Sequence, residues 1–364
     1  MRGNDAMRAT VVGAGVAGLT AATALAERGA EVTLVERSRA LGSNASWLAG
    51  GMLAPFCEGE SAPRSVVELG QGAIDWWEAR VPGVKREGTL VVAPPRDSGE
   101  IDRFAARTSG HERIDGARIA ALEPDLAGRF HKGLIFAGEG HLDPRLALSA
   151  LAERLREKGG EIRFGVDGET LGAAESVIDC RGWAAREALP GLRGVRGEMI
   201  RLRTREVSLK RPVRLLHPRI PLYVVPRANH EFMIGATMIE SAEKGAVSVR
   251  SAIEMLNAAY ALHPAFGEAE IIEMSADVRP AFPDNEPRIE ERGGRIFVNG
   301  FYRHGFLLAP AFAERAADVV LRGEEEPHLG RWLAKHLHGL GEIELPSREE
   351  DRPSPFAPIV GRDA

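Results

Sequence analysis

The chain has 364 residues, more than one domain usually takes, so two domains or one fold with a large insertion are expected. Its 47 basic and 52 acidic residues leave a net charge of −5 with no block of one sign, which argues against nucleic acid and a charged membrane surface as partners. Forty-four per cent apolar residues and 41 glycines describe a glycine-rich α/β chain, not a disordered or fibrous one.

Residues 8–36, RATVVGAGVAGLTAATALAERGAEVTLVE, read as a strand ending at Gly13, a turn through three glycines, a helix to about Arg28 and a second strand over 31–35. In such a βαβ unit Gly13 allows the tight turn, Gly15 lets the backbone approach a pyrophosphate, and Gly18 lets the helix pack closely. The helix amino terminus, with Ala14, Val16 and Ala17 around it, supplies free N–H groups and the positive end of a dipole. Glu36 ends the second strand, where a carboxylate accepts from ribose hydroxyls and disfavours a 2′-phosphate. An adenine dinucleotide is expected. The apolar run 11–26 is broken by glycine and threonine and has no basic lead, so it reads as neither signal peptide nor membrane span.

Ala45, Ser46, Gly50, Gly51 and Met52 then form a loop of small residues. Strand-like runs at 89–93, 222–225 and 232–234 suggest an antiparallel unit. Asp143 and Pro144 open a helix that Gly159 and Gly160 end, and 161–166 and 176–180 read as strands, the second closed by Arg181 and Gly182. Residues 295–299 form another strand, Gly300 and Gly305 bracket a turn, and 310–321 read as a helix. The expected fold is therefore α/β: a Rossmann-like, discontinuous dinucleotide-binding domain of 1–84, 141–205 and 275–364, with a mainly antiparallel substrate domain of 85–140 and 206–274. Residues after Glu324 read as loop with one short helix. Cys57 and Cys180 stand far apart with no CxxC, which excludes a disulfide framework and points to a reducing compartment, the cytoplasm. Both read as buried small apolar residues. His336 and His338 are two apart and cannot share a helix face, so no metal site is expected.

GAGVAG with Glu36, SWLAGGML (46–53), VRGEM (195–199), LYVVPR (222–227), DVRPAFPD (277–284) and GFYRHGFLLAP (300–310) occur in this order. In these motifs the chain resembles the glycine oxidases of thiamine biosynthesis, members of the D-amino-acid-oxidase-like flavoproteins. The resemblance implies noncovalent FAD, with Arg37, Val166, Gly182 and the small-residue loop among its contacts. It further implies that Phe301, Tyr302, Arg303, His304, Gly305, Phe306 and Leu307 face the flavin, their amides near its N1 and C2 carbonyl, where reduced flavin is anionic and preorganised dipoles favour electron acceptance.

By the same resemblance Arg279 and Tyr223 match the ligands of a substrate carboxylate, and Arg303 lines the same cavity. An arginine fork can hold both oxygens and fix the Cα hydrogen over flavin N5. Asp277 lies two residues before Arg279, on its face if the segment is extended, and is expected to neutralise it in part. His217, Pro218 and Arg219 stand where a second tyrosine is common, and His304 stands where asparagine is frequent and reads as a supporting residue rather than a proton acceptor. No side chain is required as a general base. The activity implied is oxidation of a small amino acid, glycine first, with molecular oxygen as acceptor and a thiazole synthase as receiver of the imine. A dehydrogenase acting on D-amino acids or sarcosine with another acceptor, and a noncatalytic nucleotide-binding regulator, are the alternatives. Oligomeric state stays open, a homo-oligomer included.

Overall fold

The computed structural model describes residues 7–42, 44–170, 176–216 and 222–322; His217, Pro218, Arg219, His336, His338 and the expected terminal helix lie outside them. In chain order, β1 (Arg8–Val12) leads into α1 (Val16–Glu27) and β2 (Glu31–Glu36), and a 3-10 turn over Ala45–Leu48 precedes β3 (Met52–Leu53). Three short helices follow, α2 (Pro55–Glu58), α3 (Arg64–Gly70) and α4 (Ala73–Glu78). Then come β4 (Thr89–Val92), α5 (Gly99–Arg107), β5 (Glu112–Asp115), α6 (Gly116–Leu122), β6 (Lys132–Phe136) and β7 (Gly140–His141). The chain continues through α7 (Pro144–Glu157), β8 (Glu161–Phe164), β9 (Ser176–Asp179), β10 (Arg193–Arg203), β11 (Val213–Leu215), β12 (Leu222–Pro226) and β13 (Glu231–Gly235). The described residues end with α8 (Val249–Leu262), β14 (Glu270–Ala281), β15 (Arg288–Arg292), β16 (Arg295–Asn299) and α9 (Gly305–Arg322).

The strands form two large sheets. A six-stranded sheet runs β15-β16-β9-β1-β2-β8, parallel except for the β15–β16 hairpin. An eight-stranded sheet runs β14-β10-β13-β12-β11-β4-β6-β5 and is antiparallel except between β11 and β4. The sequence-based division left 193–205 and 275–281 with the nucleotide-binding part. Instead β10 and β14 pair along their length inside the eight-stranded sheet. Both strands interleave polar and charged residues with apolar ones, a pattern that does not say which sheet they join.

Helix α1 is buried on nearly every side between the first sheet, α7 and α9. Its threonines survive there because Thr20 and Thr23 donate their hydroxyls to the carbonyls of Val16 (2.8 Å) and Leu19 (2.7 Å). On the other sheet, Ile200, Leu202, Val224 and Ile234 pack under Met255, Ala259 and Leu262 of α8, each of the larger side chains contributing on the order of 2 kcal/mol.

Helix α9 starts five residues earlier than expected, at Gly305, and contains Pro310. Proline cannot bond to the carbonyl one turn back, that of Phe306. This carbonyl accepts instead from the indole N–H of fully buried Trp77 at 2.8 Å, while the Trp77 ring stacks on Phe306. A long-range side chain therefore replaces the missing helical bond, which no local signal announces.

Candidate active site

The site grows from the first turn. Gly13 adopts φ +101°, and a Cβ there would lie 2.9 Å from the Cys180 carbonyl oxygen. At Gly18 a Cβ would sit 1.8 Å from the Gly13 carbonyl oxygen, so helix and turn touch backbone to backbone. Gly15 caps α1 without a side-chain partner, and the first-turn N–H groups of Ala17 and Gly18 have no helical acceptor. Ala14 donates its N–H to Glu36 Oε2 (2.8 Å) and Ser38 donates to Oε1 (2.9 Å), which fixes the carboxylate at the turn mouth. Arg37 is exposed beside it, and Val166 packs on Val12, Val35 and Val177.

Two further segments meet this turn. The Ser46 hydroxyl accepts the Val16 N–H at 3.0 Å, bringing the small-residue loop to the start of α1. Gly51 adopts φ +66° with the Leu142 carbonyl below it, and Met52 pairs with His141. Arg227 donates to the Gly50 carbonyl at 2.6 Å, and a Cβ on Gly50 would touch the Tyr223 ring. From the other side, Gly305 at the start of α9 lies against Val16 at the start of α1, so two helix amino termini converge. Phe306 and Leu307 are buried behind them. Asn299 ties this region together, donating to the Gly182 carbonyl (2.9 Å) and accepting the Gly300 N–H (2.7 Å).

A cluster of side chains rich in arginine lies beside these termini. Tyr302 donates its N–H to the Pro280 carbonyl at 2.8 Å and Phe301 bridges to Ala281, so the turn carrying Arg303 is fastened to the strand carrying Arg279. Arg303 reaches Glu58 Oε2 (2.8 Å) and Ser61 Oγ (2.7 Å). Glu58 also takes Arg214 (3.4 Å) and lies 3.5 Å from His304 Nδ1. Burial raises the Glu58 pKa, but Arg303, Arg214 and His304 outweigh it and hold the carboxyl at about 2. Burial lowers His304 to about 4, against the pull of Glu58, so its ring is neutral at pH 7. Tyr223 and Arg279 lie close enough to shift each other's ionisation.

Arg279 differs from the other cations here. Its guanidinium donates to the Thr237 carbonyl at 2.9 Å, and among the described residues no carboxylate pairs with it. Asp277 does not neutralise it: that carboxylate pairs with Lys244 at 2.8 Å and accepts the Val278 N–H. The expectation failed because alternation along a strand fixes a face and not a partner, and Lys244 arrives from a distant loop. Sequence reasoning also missed Glu58, Arg214, Thr237 and Met238, whose thioether Sδ accepts from Tyr302 Oη at 3.3 Å and from Arg303 at 3.6 Å. Nothing local marks them. Gly197 had a signal: a glycine inside a strand pattern announces close approach.

A dinucleotide turn, a second helix amino terminus facing it and an arginine-rich cluster alongside are the arrangement of a flavin-type oxidoreductase. The chain matches the family model described as FAD dependent oxidoreductase over residues 8–319, and it belongs to that family. It is 58% identical over 322 residues, 88% of this chain and 98% of the relative, to a Rhizobium etli protein named "Putative thiamine biosynthesis oxidoreductase ThiO". A Nostoc protein named "Bifunctional protein ThiO/ThiG" is 25% identical over 90% of this chain, which spans 54% of that relative. The crystal structure of glycine oxidase from Geobacillus kaustophilus has the same fold, with a TM-score of 0.75 and 23% identity over 90% of this chain and 98% of that one. FAD is the cofactor, and the convergent termini, the glycine contacts and Glu36 fit it.

Proposed function

We propose that the chain oxidises a small amino acid, glycine first, to its imine with formation of hydrogen peroxide. The observation that carries this reading is Arg279, a half-buried guanidinium held by one carbonyl and paired with no carboxylate among the described residues. A cation so placed calls for an anion, and its fork matches both oxygens of a carboxylate. The Tyr223 hydroxyl donates to the same group. Glu58 occupies Arg303 and Arg214, so Arg279 is the cation left for substrate, and Arg303 with Met238 closes the wall around a small side chain. Neutral His304 adds no competing charge.

FAD held by these residues would supply the two-electron redox chemistry, with oxygen as the final acceptor of the electron pair. The protein binds the carboxylate, orients Cα and excludes water. For the cofactor we assign the turn 13–18, Glu36, Arg37 and Val166 to the adenosine and pyrophosphate half, and Ala45, Ser46, Gly50, Gly51, Met52, Gly182 and 301–307 to the flavin half. We further propose that the imine passes to a thiazole synthase. The thiamine-biosynthesis name of the 58%-identical relative and the ThiO/ThiG fusion support that step.

Anaerobic mixing with glycine tests the reading. The flavin should bleach, and readmitted air should restore the colour with one peroxide per glycine consumed. Colour unchanged by glycine, sarcosine or D-alanine would remove the amino-acid oxidase assignment.

A further inference from the structure

Three residues of the motif VRGEM bear on Arg279: Gly197 lies directly against it, and Arg196 and Glu198 flank Gly197 on the same strand. β10 and β14 are antiparallel neighbours, with Val195 opposite Arg279 and Gly197 opposite Asp277. A Cβ built on Gly197 would fall 2.2 Å from Arg279 Cζ, so the guanidinium lies in a recess that only glycine leaves open. A glycine inside a strand costs stability and is retained where something must come close.

Arg196 and Glu198 point away from that recess and hold the loop that covers it. The buried Arg196 guanidinium donates to the carbonyls of Glu243 (2.8 Å), Gly245 (3.1 Å) and Ala246 (2.6 Å), and its backbone exchanges hydrogen bonds with Ile239. Glu198, fully buried, accepts from Arg196 (2.9 Å) and from the Ser248 N–H (3.1 Å). Its N–H donates to the Thr237 hydroxyl at 2.9 Å, and its carbonyl accepts the Thr237 N–H at 3.2 Å. The loop 237–248 contains no helix or strand, so these two side chains supply the anchoring that a sheet would otherwise give. Thr237 holds Arg279 through its carbonyl, and the next residue, Met238, meets Tyr302 and Arg303.

We propose that Arg196, Gly197 and Glu198 are positioning residues for carboxylate recognition: Gly197 leaves the space in which the Arg279 guanidinium rests, while Arg196 and Glu198 strap down the loop whose Thr237 carbonyl aims it. This rests on Arg279 as the carboxylate anchor. The far end of a flexible arginine can yield to a new methyl, so Gly197→Ala displaces the guanidinium without dismantling the sheet.

The test uses flavin-replete protein and three variants, Gly197→Ala, Thr237→Val and Arg279→Ala, with Gly197→Ala combined with Arg279→Ala as the fourth corner of a cycle. Glycolate, a carboxylate of glycine's size without its amine, is titrated by calorimetry, and glycine kinetics are recorded at equal flavin content. Gly197→Ala should raise the glycolate Kd and the glycine KM at least tenfold, with kcat falling less than KM rises. Thr237→Val, which keeps the carbonyl and the backbone bond to Glu198 but loses the hydroxyl that accepts the Glu198 N–H, should raise both about threefold or more. On the Arg279→Ala background Gly197→Ala should cost nothing further in kcat/KM, because no guanidinium remains to displace; a merely structural lesion would add its full cost. Glycolate binding within twofold of native in folded Gly197→Ala and Thr237→Val, with Arg279→Ala impaired, overturns the positioning role alone. Unimpaired glycolate binding in Arg279→Ala overturns it together with the anchor.

Discussion

Arg279 and Glu139 make opposite demands on their surroundings. The guanidinium stays charged whatever its burial, so Arg279→Lys, which keeps charge and loses the fork, should raise the glycine KM and lower kcat, and Arg279→Ala should cost about thirty- to several-thousandfold in kcat/KM. FAD content should be normal in both. Near-native kcat/KM for glycine would pass the anchoring role to Arg303. Glu139 is fully buried and accepts the Cys57 N–H at 2.7 Å, next to the residue that meets Arg303. Burial pushes its carboxyl up to about 7 from 4.5. A carboxyl whose folded pKa is raised stabilises the fold fully below pH 4.5 and loses that contribution as pH rises through 7, about 3 kcal/mol in all. Glu139→Gln should lack the loss, so its urea midpoint should gain on the native one between pH 5 and pH 8. Parallel midpoints across that range would refute a raised pKa.

At the scale of elements, the glycine turn and α1 were legible because their requirements are local: a positive φ at Gly13, a backbone contact at Gly18 and a carboxylate one strand later at Glu36. The α9 start was hidden because Pro310 is a strong boundary signal, and only a residue from α4 cancels it. Glu58 was hidden for the same reason, its partners Arg214 and Arg303 coming from β11 and the turn before α9. The α9 case can be checked. Trp77→Phe should leave the Phe306 carbonyl unpaired and cost about 1–3 kcal/mol. In Pro310→Ala, where residue 310 regains its N–H, the same change should cost less. Equal costs on the two backgrounds, read from thermal midpoints, would show that the indole bond is not what lets the proline stay.

On the scale of the whole molecule, α1, the small-residue loop and the turn before α9 meet along one seam, so FAD bound there, as proposed, would join parts that belong to distant stretches of chain. Ligand that binds only the folded state stabilises it by about 2.7 kcal/mol at a hundredfold excess over Kd. Apoprotein should therefore melt lower and climb with added FAD. Glu36→Ala, losing a hydrogen-bonded acceptor, should move that curve to roughly ten- to hundredfold higher FAD. Superimposable curves would place Glu36 outside the cofactor contacts.

The meeting of Val16 with Gly305 also sets a timetable for synthesis. The nucleotide turn leaves the ribosome early, but the helix terminus that faces it is among the last described pieces to be translated. A nascent chain therefore carries half a binding seam through most of its elongation and remains colourless. Chains arrested just before α9 should emerge without flavin however much FAD surrounds them, which makes yellow colour a report that translation has passed that point.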